Sequence, residues 1–108
     1  MHEFLACVRA AGDDLDMFWG VDEMLLSGLA AGARGAVGST YNFAPAVYRN
    51  LLAAFESGDL AAARDWQARS IDMIRIVLSA GGLGAQKAMM RLCEVDCGPP
   101  RLPVRGLS

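Results

Sequence analysis

Two short apolar segments, each closed by a glycine and each followed by a helical pattern, constrain the fold of this chain most strongly. The first covers residues 15–19 and is closed by Gly20, and the second is the small-residue run at 35–38. Apolar segments of this length favour buried strands over helices. Strands that alternate with helices pair in parallel through right-handed crossovers, and parallel sheets are covered on both faces. The sequence therefore predicts two neighbouring parallel strands within an α/β fold.

Helical patterns account for most of the remaining sequence. They are predicted at residues 3–11, at 24–31, from Pro45 to Gly58, from the Asp59 cap to the glycines at 81–84, and at 86–95, with an extended tail after Pro99. In the fourth helix an apolar stripe of 3.6-residue period, which includes Trp66 and Ser70, indicates ordinary core packing. Two short strands leave two open edges and too little sheet for five helices to pack around. The chain is therefore predicted to be one part of a larger α/β fold.

Composition narrows the classes of function. The formal net charge is −2, the pI is about 5.2 and the arginines are scattered, so no basic surface for nucleic acid or anionic lipid is predicted. Charged residues interrupt the most apolar stretches, and the first residues lack a basic segment followed by an apolar one. These features predict no membrane span and no secretory signal, which makes a cytoplasmic protein the default expectation.

The three cysteines, Cys7, Cys93 and Cys97, form an odd number. In a reducing compartment such residues are expected to be small, buried hydrophobic side chains. A zinc site is the alternative, but it would have to combine the pair near the end of the chain with Cys7 and His2 from the other end of the sequence. No metal and no cofactor is therefore predicted.

Two sequence motifs indicate a family. Gly-Val-Asp-Glu lies at residues 20–23, and Gly-Ser-Thr-Tyr-Asn at 38–42 is followed by Pro45, with Gly-Ala at 32–33 between them. Together they resemble the pyruvate-dependent aldolase superfamily of dihydrodipicolinate synthase and N-acetylneuraminate lyase. Both motifs resemble the lyase branch more closely, and the ending Gly-Pro-Pro-Arg-Leu-Pro at 98–103 is similar to that of its animal-type members.

This resemblance implies a fold and a reaction. The family folds as a (β/α)8 TIM barrel with extra carboxy-terminal helices, so residues 1–57 are expected to hold the last two strands and their helices, 58–98 the helical extension and 99–108 an extended tail. The implied reaction is cleavage of N-acetylneuraminate, a sialic acid, to N-acetylmannosamine and pyruvate through a lysine Schiff base. The family lysine belongs on strand six, just upstream of Met1, and Lys87 is not its counterpart. No catalytic residue is therefore expected in this chain.

Sugar-binding residues are implied by the same resemblance. They are Gly20 through its backbone, and Asp22, Glu23 and Ser39 through their side chains. Carboxylates and hydroxyls suit a polyhydroxy substrate because they exchange hydrogen bonds with its OH groups. Simpler roles stay open, since Asp22 and Glu23 also favour a helix start. Ser39 with Thr40 could likewise satisfy backbone groups at a strand end.

Three alternatives accompany the lyase prediction. One is a dihydrodipicolinate synthase-like pyruvate aldolase, and another is a catalytically inactive regulator that inserts into the homotetramer implied for complete members. The third is an interaction peptide, because residues 100–105 fit a PxxP pattern followed by arginine, as polyproline-binding domains prefer. The partners implied for the lyase itself are small molecules, sialic acid and pyruvate.

Overall fold

The computed structural model describes residues 1–107, most of which lie in helices. The elements, in chain order, are α1 (His2–Ala11), β1 (Phe18–Trp19), α2 (Leu25–Ala30), β2 (Gly35–Ala36), α3 (Pro45–Glu56), α4 (Leu60–Ser79) and α5 (Leu83–Leu92). Two short 3-10 turns, Asp22–Met24 and Ser39–Asn42, follow the two strands. None of the helices within residues 1–107 is long and apolar enough to cross a membrane.

The two strands pair in parallel, which confirms the prediction from their alternation with helices. Phe18 faces Gly35 across the ladder, and Trp19 faces Ala36. The pairing continues one step further, because Val37 N donates a hydrogen bond to Trp19 O at 2.9 Å. The regular strands are shorter than the two predicted segments, whose outer residues lie in turns and irregular backbone.

The core lies between one face of the sheet and the helices. Its buried cluster comprises Trp19, Leu25, Ala33, Tyr48 and Leu51. Consecutive side chains of a strand point to opposite faces, so Trp19 is buried while Phe18 is 56% exposed. The indole packs so closely on α2 that a Cβ added at Gly28 would lie 2.3 Å from Trp19 Cγ.

The opposite face of the sheet is not covered by residues 1–107. Phe18 and Val37 are 56% and 66% exposed. The register places them on the same face, because Phe18 pairs with Gly35, two residues before Val37. A parallel sheet normally has helices or further strands on both faces. The uncovered face agrees with the expectation that the chain is one part of a larger α/β fold.

Local signals explain where the two longest helices begin. Pro45 occupies the first turn of α3, where its missing N–H costs no hydrogen bond. Asp59 caps α4, because its Oδ1 accepts a hydrogen bond from Ala62 N at 2.9 Å. The two helices pack against each other and fully bury Leu51 and Ala63. Since α4 also contacts the 3-10 turn after β1, it supports the first of the two loops.

The last helix differs from its prediction at 86–95. It begins at Leu83, inside the glycine run expected to break the chain, and ends at Leu92. Gly84 is buried within it, and an added Cβ would lie 2.6 Å from Arg105 O in the tail. This glycine therefore marks a close approach of two backbones rather than a helix end.

The tail folds back along α5. Lys87 Nζ donates hydrogen bonds to Cys97 O at 2.8 Å and to Pro99 O at 3.3 Å. Further along, Val104 N donates to Arg101 O at 3.1 Å and closes a turn. A polyproline-binding domain requires an extended left-handed helix instead. The tail conformation therefore does not support the interaction-peptide alternative.

The expectation of buried cysteines is wrong. Cys7, Cys93 and Cys97 are all free and exposed. Cys7 lies on α1, which fully buries none of its residues, and the other two lie where the chain leaves α5 and turns back. Among residues 1–107, no three His, Cys, Asp or Glu side chains come together as a metal site would require.

Candidate functional site

The loops that follow β1 and β2 line a common cleft. Parallel strands end at the same edge of a sheet, so the loops that leave them are neighbours. We call the space between them the loop cleft; it has a volume of about 490 Å³. The four residues of the predicted sugar site, Gly20, Asp22, Glu23 and Ser39, all line it. The helical part of its wall is formed by Ile74, Leu78 and Gln86.

Asp22 is the buried member of this group, with 7% of its surface exposed. Its Oδ2 accepts hydrogen bonds from Thr40 N at 3.1 Å and from the Thr40 hydroxyl. Its Oδ1 lies against Gly38, where an added Cβ would be only 1.9 Å away. The carboxylate therefore joins the two loops, and one of its oxygens is already committed to Thr40.

A chain of hydroxyl groups continues from this carboxylate into the interior. The Thr40 hydroxyl contacts Tyr48 OH, which lies 3.0 Å from Ser70 Oγ. A carboxylate only accepts hydrogen bonds, so the single Thr40 hydroxyl proton goes to Asp22, and Tyr48 must donate to Thr40. Ser70 then donates to Tyr48. Successive donors from α3 and α4 thus hold the site carboxylate in place.

The helix α4 also holds the backbone of the first loop. Gln67 Nε2 donates to Asp22 O at 3.2 Å, and Gln67 Oε1 accepts a hydrogen bond from Leu26 N at 2.9 Å. Leu26 lies in the first turn of α2, where N–H groups have no partner inside the helix. The buried Gln67 carboxamide thereby gives a hydrogen-bond partner both to an N–H group at the start of α2 and to the backbone carbonyl of Asp22.

Glu23 and Ser39 differ from Asp22 because solvent reaches them. Glu23 is half-buried and Ser39 is exposed. The backbone of the second loop is fixed by Asn42 Nδ2, which donates to Ser39 O at 2.9 Å and leaves the Ser39 hydroxyl untouched. The structure thus separates the two acidic residues, since one ties the loops together and the other faces the open cleft. That any of these side chains binds a sugar stays a prediction.

Two tyrosines lie beside the second loop, with ring centroids 4.1 Å apart. Burial raises the pKa of both Tyr41 and Tyr48 above the ordinary value of 10.0, and the charge of Asp22 adds to the shift. For Tyr48, hydrogen bonds with Ser70 and Thr40 act in the opposite direction on the pKa. Tyr41 OH is buried and has no hydrogen-bond partner within the described part of the chain. The Tyr48 hydroxyl is therefore hydrogen-bonded, whereas the Tyr41 hydroxyl is unpaired within residues 1–107.

Removing each tyrosine hydroxyl is expected to change stability in opposite directions. Tyr48→Phe leaves Thr40 and Ser70 without this partner and should lower the free energy of unfolding by about 1–3 kcal/mol. Tyr41→Phe removes an unpaired buried oxygen and should raise the free energy of unfolding by about 1 kcal/mol. Urea unfolding at pH 7, followed by circular dichroism, measures both values, and a loss of stability in Tyr41→Phe would contradict the unpaired assignment.

The same tyrosines predict how stability depends on alkaline pH. A group whose pKa is raised on folding contributes stability that is fully present below its unfolded pKa, here 10.0, and is lost as the pH rises further. The reason is that the unfolded chain releases the phenolic proton first. The free energy of unfolding should therefore fall above about pH 10, and less steeply in Tyr41→Phe than in the unaltered chain.

Sequence reasoning missed the residues that fix the site. Thr40 lies within the second motif, but nothing in the motif indicates that it bonds Asp22. The apolar period of α4 places Ser70 in the core stripe without indicating a polar role, and no motif includes Gln67. A signal existed, because Gln67 and Ser70 are three residues apart and therefore share one face of the helix. Two polar residues on a buried face indicate a buried hydrogen-bond network.

Comparison with known proteins places this chain in a family. Residues 1–108 match the Dihydrodipicolinate synthetase family. The chain belongs to this family. The resemblance that the motifs at 20–23 and 38–42 indicated is thereby confirmed. These two motifs form the loops that line the loop cleft.

Relatives in the dihydrodipicolinate synthetase family bear the name N-acetylneuraminate lyase. The chain is 46% identical over 91 residues to the protein of that name from Rattus norvegicus, a match that covers 82% of this chain and 28% of the relative. It is 43% identical over 106 residues to N-acetylneuraminate lyase from Xenopus tropicalis, covering 96% of this chain and 34% of the relative. The chain thus spans about a third of the length of these relatives.

Solved structures of the family superpose closely on the chain. N-acetylneuraminate lyase from Proteus mirabilis has a TM-score of 0.91 at 42% identity, and the match covers 99% of this chain and 36% of that structure. A structure described as the catalytic lysine mutant of Ruminococcus gnavus sialic acid aldolase has a TM-score of 0.92 at 30% identity, with coverages of 99% and 36%. The chain therefore matches one part of the family's barrel, in agreement with the expected fold class.

Proposed function

We propose that this chain provides the sugar-binding side of a Schiff-base aldolase that cleaves N-acetylneuraminate to N-acetylmannosamine and pyruvate. The observation that carries the proposal is the loop cleft, in which Asp22, Glu23 and Ser39 meet after two parallel strands. Chemistry in barrels of this kind is carried by the loops at the carboxyl ends of the strands. The names of the relatives support a sialic acid as the substrate.

The loop cleft offers the groups that a polyhydroxy ligand needs. Glu23 presents a carboxylate that accepts hydrogen bonds, and the Ser39 hydroxyl both donates and accepts. Gly20 is exposed, and an added Cβ would meet nothing within 4 Å, so its backbone is open to the cleft. Asp22 sets the separation of the two loops and thereby the distance between the other groups. In this proposal the four residues orient the sugar hydroxyls while the reacting carbon faces the lysine.

The cleavage step needs an amine that this chain does not bring to the cleft. An iminium between a lysine and the keto acid, formed with loss of water, withdraws electrons from the bond that breaks. Lys87 is the single lysine of the sequence, and its ammonium group donates to the carbonyls of Cys97, Gly98 and Pro99. The tail holds this amine, and Lys87 does not line the loop cleft. We therefore place the Schiff-base lysine outside residues 1–107, and the catalytic lysine named for the Ruminococcus gnavus enzyme supports this mechanism.

Trapping with borohydride tests the lysine assignment. The isolated chain, treated with pyruvate and borohydride, should show no added mass in mass spectrometry. The Proteus mirabilis lyase, treated in parallel, should gain the reduced pyruvate adduct and serves as the positive control. A stable adduct on Lys87 together with turnover would contradict the proposal.

A chimera tests the sugar side. Residues 1–108 placed in the Proteus mirabilis lyase, in exchange for the region they match, should give an enzyme that cleaves N-acetylneuraminate. In this chimera Glu23→Gln should lower kcat/KM about tenfold to a hundredfold, the worth of one hydrogen bond to a charged group. The matched control is Asp72→Asn, the same chemical change at an exposed position of α4. A folded chimera that is inactive, or equal activity of the two variants, would count against the proposal.

A further inference from the structure

The loop cleft adjoins a second cleft of different character. We call this the tail cleft; it has a volume of about 400 Å³, and its apolar lining comprises Phe43, Leu83, Met90 and Cys97. Lys87 also borders the tail cleft, but the tail carbonyls already bind its ammonium group. Three residues, Ser39, Asn42 and Gln86, line both clefts. A ligand in the loop cleft can therefore extend past them into an apolar space.

Gln86 forms this shared border from the helical side. The other helical residues of the loop cleft, Ile74 and Leu78, are apolar, so Gln86 is the polar group on that wall. Its carboxamide is half-buried and takes part in none of the hydrogen bonds that fix the loops or the tail within residues 1–107. A carboxamide donates to a carbonyl oxygen and accepts from an N–H group. The Gln86 carboxamide can therefore hydrogen-bond either the carbonyl oxygen or the N–H group of an amide in the ligand.

We propose that Gln86 is a specificity-determining residue whose carboxamide hydrogen-bonds the acylamino group of the bound sugar, while the acyl chain lies in the tail cleft. The inference rests on the proposed function, because it starts from a sugar in the loop cleft. An acylamino group fits the border between the two clefts because its polar amide meets Gln86 and its apolar acyl chain meets the apolar lining of the tail cleft. A single methyl group fills only a small part of 400 Å³, so the site accepts acyl chains longer than acetyl.

Binding of three sugars to the 108-residue chain tests this inference. Mannose, N-acetylmannosamine and N-butanoylmannosamine differ only in the substituent at one carbon. Titration calorimetry should show that N-acetylmannosamine binds about fivefold more tightly than mannose, the worth of one net hydrogen bond. Each of the two further methylene groups in the butanoyl sugar should improve Kd by about twofold to fourfold.

Variants assign these differences to residues. Gln86→Leu should bring the Kd of N-acetylmannosamine to about that of mannose, and Gln86→Ala is a second variant in case leucine disturbs the fold. Met90→Trp should fill the tail cleft and abolish the gain from the longer acyl chain. Arg75→Leu, at an exposed position of α4, is the control that should leave all three dissociation constants unchanged.

The outcomes separate this inference from the proposed function. If the unaltered chain binds none of the three sugars, the sugar site fails and the inference fails with it. If it binds all three equally well, the sugar site stands and the role of Gln86 is overturned. Persistence of the preference for N-acetylmannosamine in folded Gln86→Leu and Gln86→Ala would overturn that role in the same way.

Discussion

Replacing Gly38 with alanine is expected to lower the free energy of unfolding by about 3 kcal/mol or more. The new Cβ would lie 1.9 Å from Asp22 Oδ1 and 2.5 Å from Asp22 Cγ. The carboxylate cannot rotate away cheaply, because Thr40 holds its other oxygen with two hydrogen bonds. Backbone strain is not the cause, since Gly38 has an extended φ of −155° that any residue adopts.

Urea unfolding measures this loss, and Gly20→Ala is its matched control. Gly20 lines the same cleft, but its added Cβ would meet nothing within 4 Å. That variant should stay within about 0.5 kcal/mol of the unaltered chain. Combining Gly38→Ala with Asp22→Ala removes the colliding carboxylate and should recover part of the loss. Equal stability of the two single alanine variants would mean that the loops separate easily, against the packing described above.

Gly28→Ala is expected to cost about 3 kcal/mol, although alanine is normally favoured by about 1 kcal/mol over glycine inside a helix. The added Cβ would lie 2.3 Å from Trp19 Cγ and 2.5 Å from Cδ2, which belong to a rigid ring rather than to a flexible chain end. The ring is also fixed, because Trp19 Nε1 donates to Val21 O at 2.7 Å. The helix would have to move away from the sheet and open the core.

Thermal and urea unfolding of Gly28→Ala should both show this destabilisation. Ser27→Ala makes a small change at the adjacent, exposed position of α2 and should alter stability by less than about 0.5 kcal/mol. Since Trp19 lies in the core, its fluorescence should also shift to longer wavelength in Gly28→Ala as water reaches the ring. A gain in stability, as helix propensity alone predicts, would show that the contact between α2 and Trp19 is loose.

The parts of the fold that sequence predicted are those set by local pattern. The strands ended where Gly20 and Gly38 indicated, to within two residues, and their parallel pairing followed from the helix between them. The predicted start of α5 was wrong because a glycine such as Gly84 looks the same in the sequence in two cases. It can break a helix, or it can lie inside a helix where a neighbouring backbone packs closely. Only the tail, some twenty residues later, distinguishes these cases.

The site was predictable in location but not in internal structure. The motifs predicted that Asp22 and Glu23 lie in one cleft, as they do. The sequence does not indicate which of two adjacent acidic residues is buried. That difference arises from Thr40, 18 residues away, and from the backbone support of Gln67, 45 residues away. Contacts at such separations depend on how helices pack on a sheet. Neither hydrophobic period nor helix capping contains that information.

The support of the first loop by α4 limits how the gene for such a chain can recombine. A crossover point in the link between α3 and α4 looks permissive, because residues 57–59 are exposed and lie between two helices. It would nevertheless separate Asp22 from Gln67, which bonds its backbone carbonyl, and from Ser70, which supports its carboxylate through Tyr48 and Thr40. Two parents can be joined there only if both carry the same buried polar partners. The loop that bears the motif and the helix that carries none therefore depend on each other structurally.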